Sequence, residues 1–368
     1  MKILITGGHI APALAVADEL KKNHRIVFVG RRYISTGDRS SSLEYREVKK
    51  RKIPFYSITT GRFTRILSFK SFLNIVLIPV GLISALNILR RERPDAVLSF
   101  GGYIAVPICI MAYILGISVY THEQTSVPGI ANRLIARLAV KVFVAFEEAA
   151  RYFDKTRVVV SGNPVRSEIF KVIRRPFVIN KDRPVIYITG GSLGSHSINE
   201  KISELLPKLL DKYIIIHQAG DTRHYRDFDK LQDLRNSLSS DMKSRYFLVK
   251  HFQDTEIGYI YKISDLIVGR SGANTFFELI ALEKPAILIP LPWSGQGEQQ
   301  SQAEIFKKHG TGEVFSQFQD SRILYTLIDK VIANTAFYKS NFRSLKYLYK
   351  INAAATIIAE ILKKINFI

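Results

Sequence analysis

Two rhythms of apolar residues alternate along this chain. Short continuous runs, Lys2-Ile3-Leu4-Ile5, Arg25 to Gly30, Val185 to Thr189 and Ala286 to Leu291, have the length and density of buried strands. Between them, Ile10 to Leu20 and the set Phe276, Phe277, Leu279, Ile280 and Leu282 repeat at helical spacing. Glycines stand where one rhythm gives way to the other: Thr6-Gly7-Gly8-His9, Thr189-Gly190-Gly191-Ser192 and Arg270-Ser271-Gly272-Ala273-Asn274. Strand, TGG turn and helix thus occur twice. The expected architecture is α/β, with two Rossmann-like domains facing across a ligand cleft. Their expected ranges are 1–163 and 164–340, joined near Gly162-Asn163-Pro164, with Arg174-Arg175-Pro176 a later alternative and 341–368 a C-terminal helical segment that packs back on the first domain.

Each glycine turn opens a helix, and the first amides of a helix lack internal partners, so the turns are natural anion sites. Glu278 falls in the first two turns of the helix after Arg270-Ser271-Gly272, where its carboxylate can accept both hydroxyls of a ribose. Gln299 and Gln300, expected on a polar loop, carry amides suited to sugar hydroxyls. Arg166 suits bidentate pairing with a diphosphate. Each residue alone has a bland explanation as a turn former, a helix-dipole partner or a solvated amide. Their combination points to a nucleotide diphosphate sugar. His122 and Glu123 are neighbours on an extended stretch and should face opposite ways, so at most one is expected to meet a substrate.

Composition narrows the setting. A chain of 368 residues, 47% hydrophobic and 23% charged, is globular and long enough for two cores. Its one cysteine, Cys109, excludes an intrachain disulfide and a cysteine-built metal cage. The first residues enter a strand at once, which reads as a cytoplasmic protein without a signal peptide. The net charge of +21 calls for an anionic partner, and over residues 1–160 Lys and Arg outnumber Asp and Glu 24 to 11. No zinc-finger or RNP-like pattern suggests nucleic acid. Phe72 to Leu89 is an uncharged stretch of 18 residues, preceded by Arg62, Arg65 and Lys70 and followed by Arg90, Arg91 and Arg93. Asn74, Pro79, Gly81 and Asn87 argue against a span. Residues 62–93 are instead expected to form one or two helices whose apolar face enters the interface of an anionic membrane.

The motifs TGGH at 6–9, PALAVA at 12–17, GGY at 101–103, HEQ at 122–124, GNPVR at 162–166, GGSLG at 190–194, HQAG at 217–220 and RSGA at 270–273, with Glu278 and Gln299-Gln300, occur in one order. In this the chain resembles the MurG-type N-acetylglucosaminyltransferases, from residue 2 to about 302. The resemblance implies a GT-B fold and inverting transfer of GlcNAc from UDP-GlcNAc to the C4 hydroxyl of the muramyl sugar of lipid I, giving lipid II at the cytoplasmic membrane face. It places the donor at Arg166, Ser192, Ala273, Asn274, Thr275, Phe276, Phe277, Glu278, Gln299 and Gln300, with Phe252-Gln253 bordering the uracil. Thr6, Gly7, Gly8 and His9 would lie near the diphosphate and acceptor, and Tyr103, His122 and Glu123 on the acceptor side. His9 is the first candidate base, Glu123 the second. No DxD-type acidic pair is placed for a divalent ion, so neither metal nor other cofactor is expected, and cell-wall or division proteins are possible partners. The first glycine loop is shorter than the family's, and Thr125 on the donor side replaces its Asn. Other readings are another GT-B glycolipid transferase, a UDP-GlcNAc 2-epimerase, or a membrane-docked UDP-sugar scaffold.

Overall fold

The computed structural model describes residues 1–33, 41–61, 69–191, 194–220 and 225–365. The chain divides into two compact units, one of Met1–Arg166 with Lys350–Ile368, the other of Ser167–Tyr349. The first unit is built on seven parallel strands: β1 (Lys2–Gly7), β2 (Arg25–Gly30), β3 (Phe55–Ser57), β4 (Ala96–Phe100), β5 (Ser118–Glu123), β6 (Lys141–Val144) and β7 (Val158–Val160). They lie in the order β3-β2-β1-β4-β5-β6-β7. Apolar runs of this kind suit central parallel strands, which are covered on both faces. Ile3, Ile5, Phe28, Leu98, Tyr120 and Phe143 are all fully buried, each worth about 1.5–3 kcal/mol in removed apolar surface.

The second unit repeats the plan with β8 (Val185–Thr189), β9 (Ile214–Gln218), β10 (Tyr246–Val249), β11 (Leu266–Gly269), β12 (Ala286–Leu288) and β13 (Gly312–Val314), ordered β10-β9-β8-β11-β12-β13. In both sheets the chain builds outward from its first strand and then crosses to that strand's other side. The carboxyl ends of β1 and β4, and of β8 and β11, therefore flank a topological switch point, where open parallel sheets hold ligands. All of the glycine turns noted above fall there.

The break between units comes after Arg166, not after residue 163, and the returning segment starts at Lys350, not 341. Packing explains the second difference. The 3-10 stretch Asn341–Leu348 lies against the helix Ala273–Ala281, with Phe342 facing Phe306 at 5.8 Å between ring centroids. The last helix, Ala353–Ile365, contributes Ile357 and Ile361, four apart on one face, to the core of the first unit beside the helix Ile10–Leu20.

The basic apolar stretch forms one helix, Phe69–Glu92, while residues 62–68 lie outside the described residues. It packs against the helix Ala105–Ile114, which packs in turn against Ile130–Leu138. No helix among the described residues is long and apolar enough to cross a membrane.

Candidate active site

In the first unit, the turns after β1 and β4 are tied together by Gly8, whose N–H donates to the Gly101 carbonyl at 2.9 Å. Gly101 adopts φ +75°, and a Cβ there would lie 2.9 Å from the Asn132 amide nitrogen, so the position needs glycine twice over. Asn132 is a hub. Its Nδ2 donates to Glu123 Oε2 at 2.8 Å and to the His122 carbonyl at 3.2 Å, and its Oδ1 accepts from the Thr121 hydroxyl at 3.1 Å.

These contacts sort the sequence candidates. Thr6 is fully buried, so its hydroxyl is shut off from a ligand, and the exposed Gly8 has already spent its N–H. His122 is only 1% exposed, and its Nε2 donates to the Gly162 carbonyl at 3.1 Å. Burial pushes its pKa down to about 4. It is a neutral strut between β5 and the Gly162-Asn163-Pro164 segment, not an acceptor-side surface residue. Both oxygens of Glu123 are engaged: Oε1 accepts from the Thr125 N–H (2.9 Å) and hydroxyl (2.7 Å), Oε2 from Asn132 and the Gly129 N–H (3.3 Å). A carboxylate so occupied is an anchor for its loop. Thr125 is held by the same bonds, and its hydroxyl also approaches the Val127 carbonyl at 2.8 Å, so it reaches a donor only by opening this loop. Replacing Glu123 with alanine is expected to cost about 3 kcal/mol of stability, since it strips a partner from the buried Asn132 amide and from the half-buried donors of Thr125 and Gly129. Equilibrium denaturation measures this, and a fully stable but inactive variant would return Glu123 to the chemistry.

His9 differs from these. It is the N-cap of the helix Ile10–Leu20, is partly exposed, and makes no capping bond with its side chain. Its Nδ1 meets the Gln124 amide at 2.5 Å, and Nε2 makes no hydrogen bond among the described residues. Burial lowers its pKa from the ordinary 6.5 against the opposing pull of the Glu123 charge, and so favours the neutral imidazole at pH 7. Tyr103 is half-buried nearby in the β4 turn, with the Arg31 guanidinium 5.8 Å from its ring centre.

In the second unit, Ser192 lies outside the described residues. Gly191, the residue before it, is braced by Gln218, whose Nε2 donates to the Gly191 carbonyl at 3.0 Å. Gln218 Oε1 accepts from the Tyr187 hydroxyl at 3.1 Å and the Phe252 N–H at 3.3 Å, so the glycine turn and the Phe252-Gln253 segment share one support. Gln253 itself is exposed and caps the helix Asp254–Ile263, its N–H donating to Glu256 Oε2 at 2.9 Å. Arg270 staples four segments, donating to Ser195 Oγ (2.7 Å), Ser197 Oγ (2.9 Å), Gln317 Oε1 (2.9 Å) and the Ile289 carbonyl (3.1 Å). Burial lowers its pKa to about 10.

The helix Ala273–Ala281 follows Gly272, and its first-turn amides at Ala273, Asn274 and Thr275 precede the internal bonding pattern. Phe276 and Phe277 are core residues: both are buried, the Phe276 ring lies 5.4 Å from that of Phe306 at a tilt of 57°, and the Phe276 N–H donates to the Gly272 carbonyl at 3.0 Å. The helical period turns those two side chains inward, away from any donor. Glu278 is 5% exposed and its Oε2 accepts from the Tyr261 hydroxyl at 2.8 Å. Gln299 and Gln300 lie in the first turn of the helix Glu298–Lys308 and not on a loop, so they point about 100° apart. Gln299 Oε1 accepts from the Leu291 N–H at 3.0 Å, leaving Nε2 beside Gly272, whereas the exposed Gln300 donates to Glu304 at 3.0 Å. Arg166 ends the first unit. Sequence reasoning assigned no role to Asn132, Gln124, Gln218, Tyr261 or Arg270. The motifs HEQ, HQAG and RSGA contained three of these, and nothing in the sequence marked the other two.

Two parallel switch-point units in tandem, each with glycine turns opening helices, are the architecture of GT-B glycosyltransferases. The N-terminal domain of glycosyltransferase family 28 matches residues 6–144 and its C-terminal domain residues 185–360, and the chain belongs to this family. It is 33% identical over 371 residues to UDP-N-acetylglucosamine–N-acetylmuramyl-(pentapeptide) pyrophosphoryl-undecaprenol N-acetylglucosamine transferase 2 of Bacillus cereus, covering 98% of this chain and 99% of that one. The Clostridium botulinum (strain Alaska E43) transferase is 33% identical over 374 residues, with 99% and 98% covered. Among solved structures, Acinetobacter baumannii MurG superposes with a TM-score of 0.69 at 25% identity, covering 98% of this chain and 99% of that one. The Neisseria meningitidis UDP-GlcNAc 2-epimerase shares the fold, with a TM-score of 0.64 at 17% identity and 99% and 100% covered.

Proposed function

We propose that this protein transfers GlcNAc from UDP-GlcNAc to the C4 hydroxyl of the muramyl sugar in lipid I, with inversion, forming lipid II. The observation that carries this reading is likeness along essentially the whole chain to transferases of that name. The geometry supports it. Glu278, held by Tyr261, offers a carboxylate for the ribose hydroxyls, and Gln299 Nε2 with the amides of Ala273–Thr275, at one helix start, offers donors for the sugar and diphosphate. His9 Nε2 takes the proton of the attacking hydroxyl, the new C1–O bond forms, and the C1–O bond to phosphate breaks as UDP leaves with the electron pair. Arg166 and the helix starts stabilise that leaving charge in place of a metal.

Labelled UDP-GlcNAc, a lipid I analogue and EDTA together test this. Labelled disaccharide-lipid plus UDP supports the reading. Donor binding without product, unchanged by Mg²⁺ and anionic lipid, would replace it with a scaffold role, and free ManNAc or UDP-ManNAc with an epimerase.

The protein works at the cytoplasmic membrane face in this proposal. Val80 and Ile83 of the helix Phe69–Glu92, Ile114 of its neighbour and Ile130 of the next are 46%, 60%, 65% and 61% exposed. Arg90, Arg91, Arg133 and Arg137 are exposed on the same three-helix group, the mix of apolar and basic surface that suits anionic headgroups. The double substitution Ile83→Glu/Ile130→Glu is expected to lower partition onto anionic vesicles at least about tenfold. Turnover of a water-soluble acceptor should persist. Undiminished vesicle binding would place the membrane contact elsewhere.

A further inference from the structure

Gln124 belongs to a motif that the function has not absorbed, and it is buried at 4% exposure against the partly exposed imidazole of His9. We propose that Gln124 is a positioning residue that sets the tautomer and aim of His9, by presenting its amide oxygen to the Nδ1 proton. This rests on the reading of His9 as the base. An imidazole can take a proton at Nε2 only when Nε2 carries the lone pair, which requires the resident proton on Nδ1. An amide can enforce either state. Its NH2 end, donating to Nδ1, would hold the proton on Nε2 and silence the base, whereas its oxygen end, accepting from Nδ1–H, frees Nε2.

The surroundings favour the second arrangement. With NH2 toward His9, Gln124 Oε1 is left buried without a partner. His122, two residues earlier and on the same side of the extended chain, must carry its proton on Nε2 to serve the Gly162 carbonyl, so its Nδ1 is a bare acceptor, also buried and unpartnered. Turning the amide over removes that unpartnered acceptor and gives the Nδ1 proton of His9 an oxygen to meet. The choice of an amide also has a reason. A carboxylate would raise the pKa of His9, already raised in part by Glu123, while neutral His122 adds no charge at pH 7. A neutral acceptor orients the ring and leaves it unprotonated. In the transfer, the acceptor O–H bond breaks, the N–H bond forms at Nε2, and the imidazolium keeps its Nδ1–H on Gln124.

The test compares Gln124→Leu and Gln124→Glu with His9→Ala, by kcat and KM for UDP-GlcNAc across pH and by ¹⁵N NMR of the His9 ring. Gln124→Leu is expected to lose on the order of 10- to 100-fold in kcat with donor KM nearly unchanged, as when an imidazole loses its orienting partner. Gln124→Glu should keep most of kcat while the acid limb of its pH profile moves upward. The wild-type ring should show protonated Nδ1, and Gln124→Leu a tautomer mixture. Wild-type kcat in a folded Gln124→Leu, or a wild-type ring protonated at Nε2 with an unmoved limb in Gln124→Glu, would overturn the proposal. Should Gln124→Leu not fold, the NMR state of the wild type and the limb of Gln124→Glu still decide. His9→Ala separates the two levels: full turnover there removes the base itself, while its collapse beside an active Gln124→Leu removes only the positioning role.

Discussion

His9→Ala is expected to lower kcat for transfer to a lipid I analogue by 10²- to 10⁴-fold, the usual contribution of a positioned base. The affinity for UDP-GlcNAc should stay within about twofold, because the second unit supplies Glu278, Gln299 and the helix-start amides without help from this side chain. The pH profile gives a second readout. Burial lowers the pKa of His9 below the ordinary 6.5, and the base works deprotonated, so wild-type activity should fall only at a pH below that value. In His9→Ala that acid limb should vanish from the residual rate. Unchanged kcat would take His9 out of the chemistry and leave Tyr103, half-buried in the β4 turn, as the next group to substitute.

Glu278→Gln is expected to weaken UDP-GlcNAc binding about 10- to 100-fold. A hydrogen bond to a charged acceptor is worth about 1.5–3 kcal/mol, and a ribose diol offers two. Glutamine keeps the volume and an oxygen for the Tyr261 hydroxyl, so the loss reports on the ligand and not on packing. A 2′-deoxyribose donor sharpens the test: it should bind the wild type poorly and gain little further loss in Glu278→Gln. Tyr261→Phe should show a smaller effect in the same direction, about 0.5–1.5 kcal/mol, since the carboxylate then loses one brace. Equal affinity of Glu278→Gln and wild type for UDP, by calorimetry, would remove Glu278 from the ribose.

Much of the fold could be read from local pattern. The strands Arg25–Gly30 and Val185–Thr189 and the helix Ile10–Leu20 have the bounds that their apolar runs and glycines suggest, because steric preference and burial period act within a few residues. The errors share a cause. Phe276 and Phe277 follow a glycine turn in sequence, yet the helix rotates them into the core. Gln299 and Gln300 look like a matched pair, but a helix separates their directions, and only Gln299 faces the Ala273–Ala281 start. Thr6 and His122 have the chemistry of ligands, and burial removes both from reach. A residue type states what a side chain can do; its neighbours in space decide whether it is free to do it.

By itself the sequence determined two α/β units, each with a glycine turn between strand and helix, the exclusion of an intrachain disulfide, and a basic half with an apolar stretch. Those properties follow from composition and from contacts within a few residues. Only the tertiary structure decided the strand orders that bring the β1 and β4 turns together, the packing of Ile357 and Ile361 into the first unit, the saturation of Glu123, and the meeting of His9 with Gln124, 115 residues away. Each of these depends on which distant segments lie side by side, and that is set by the one arrangement that buries both sheets and satisfies their polar edges together.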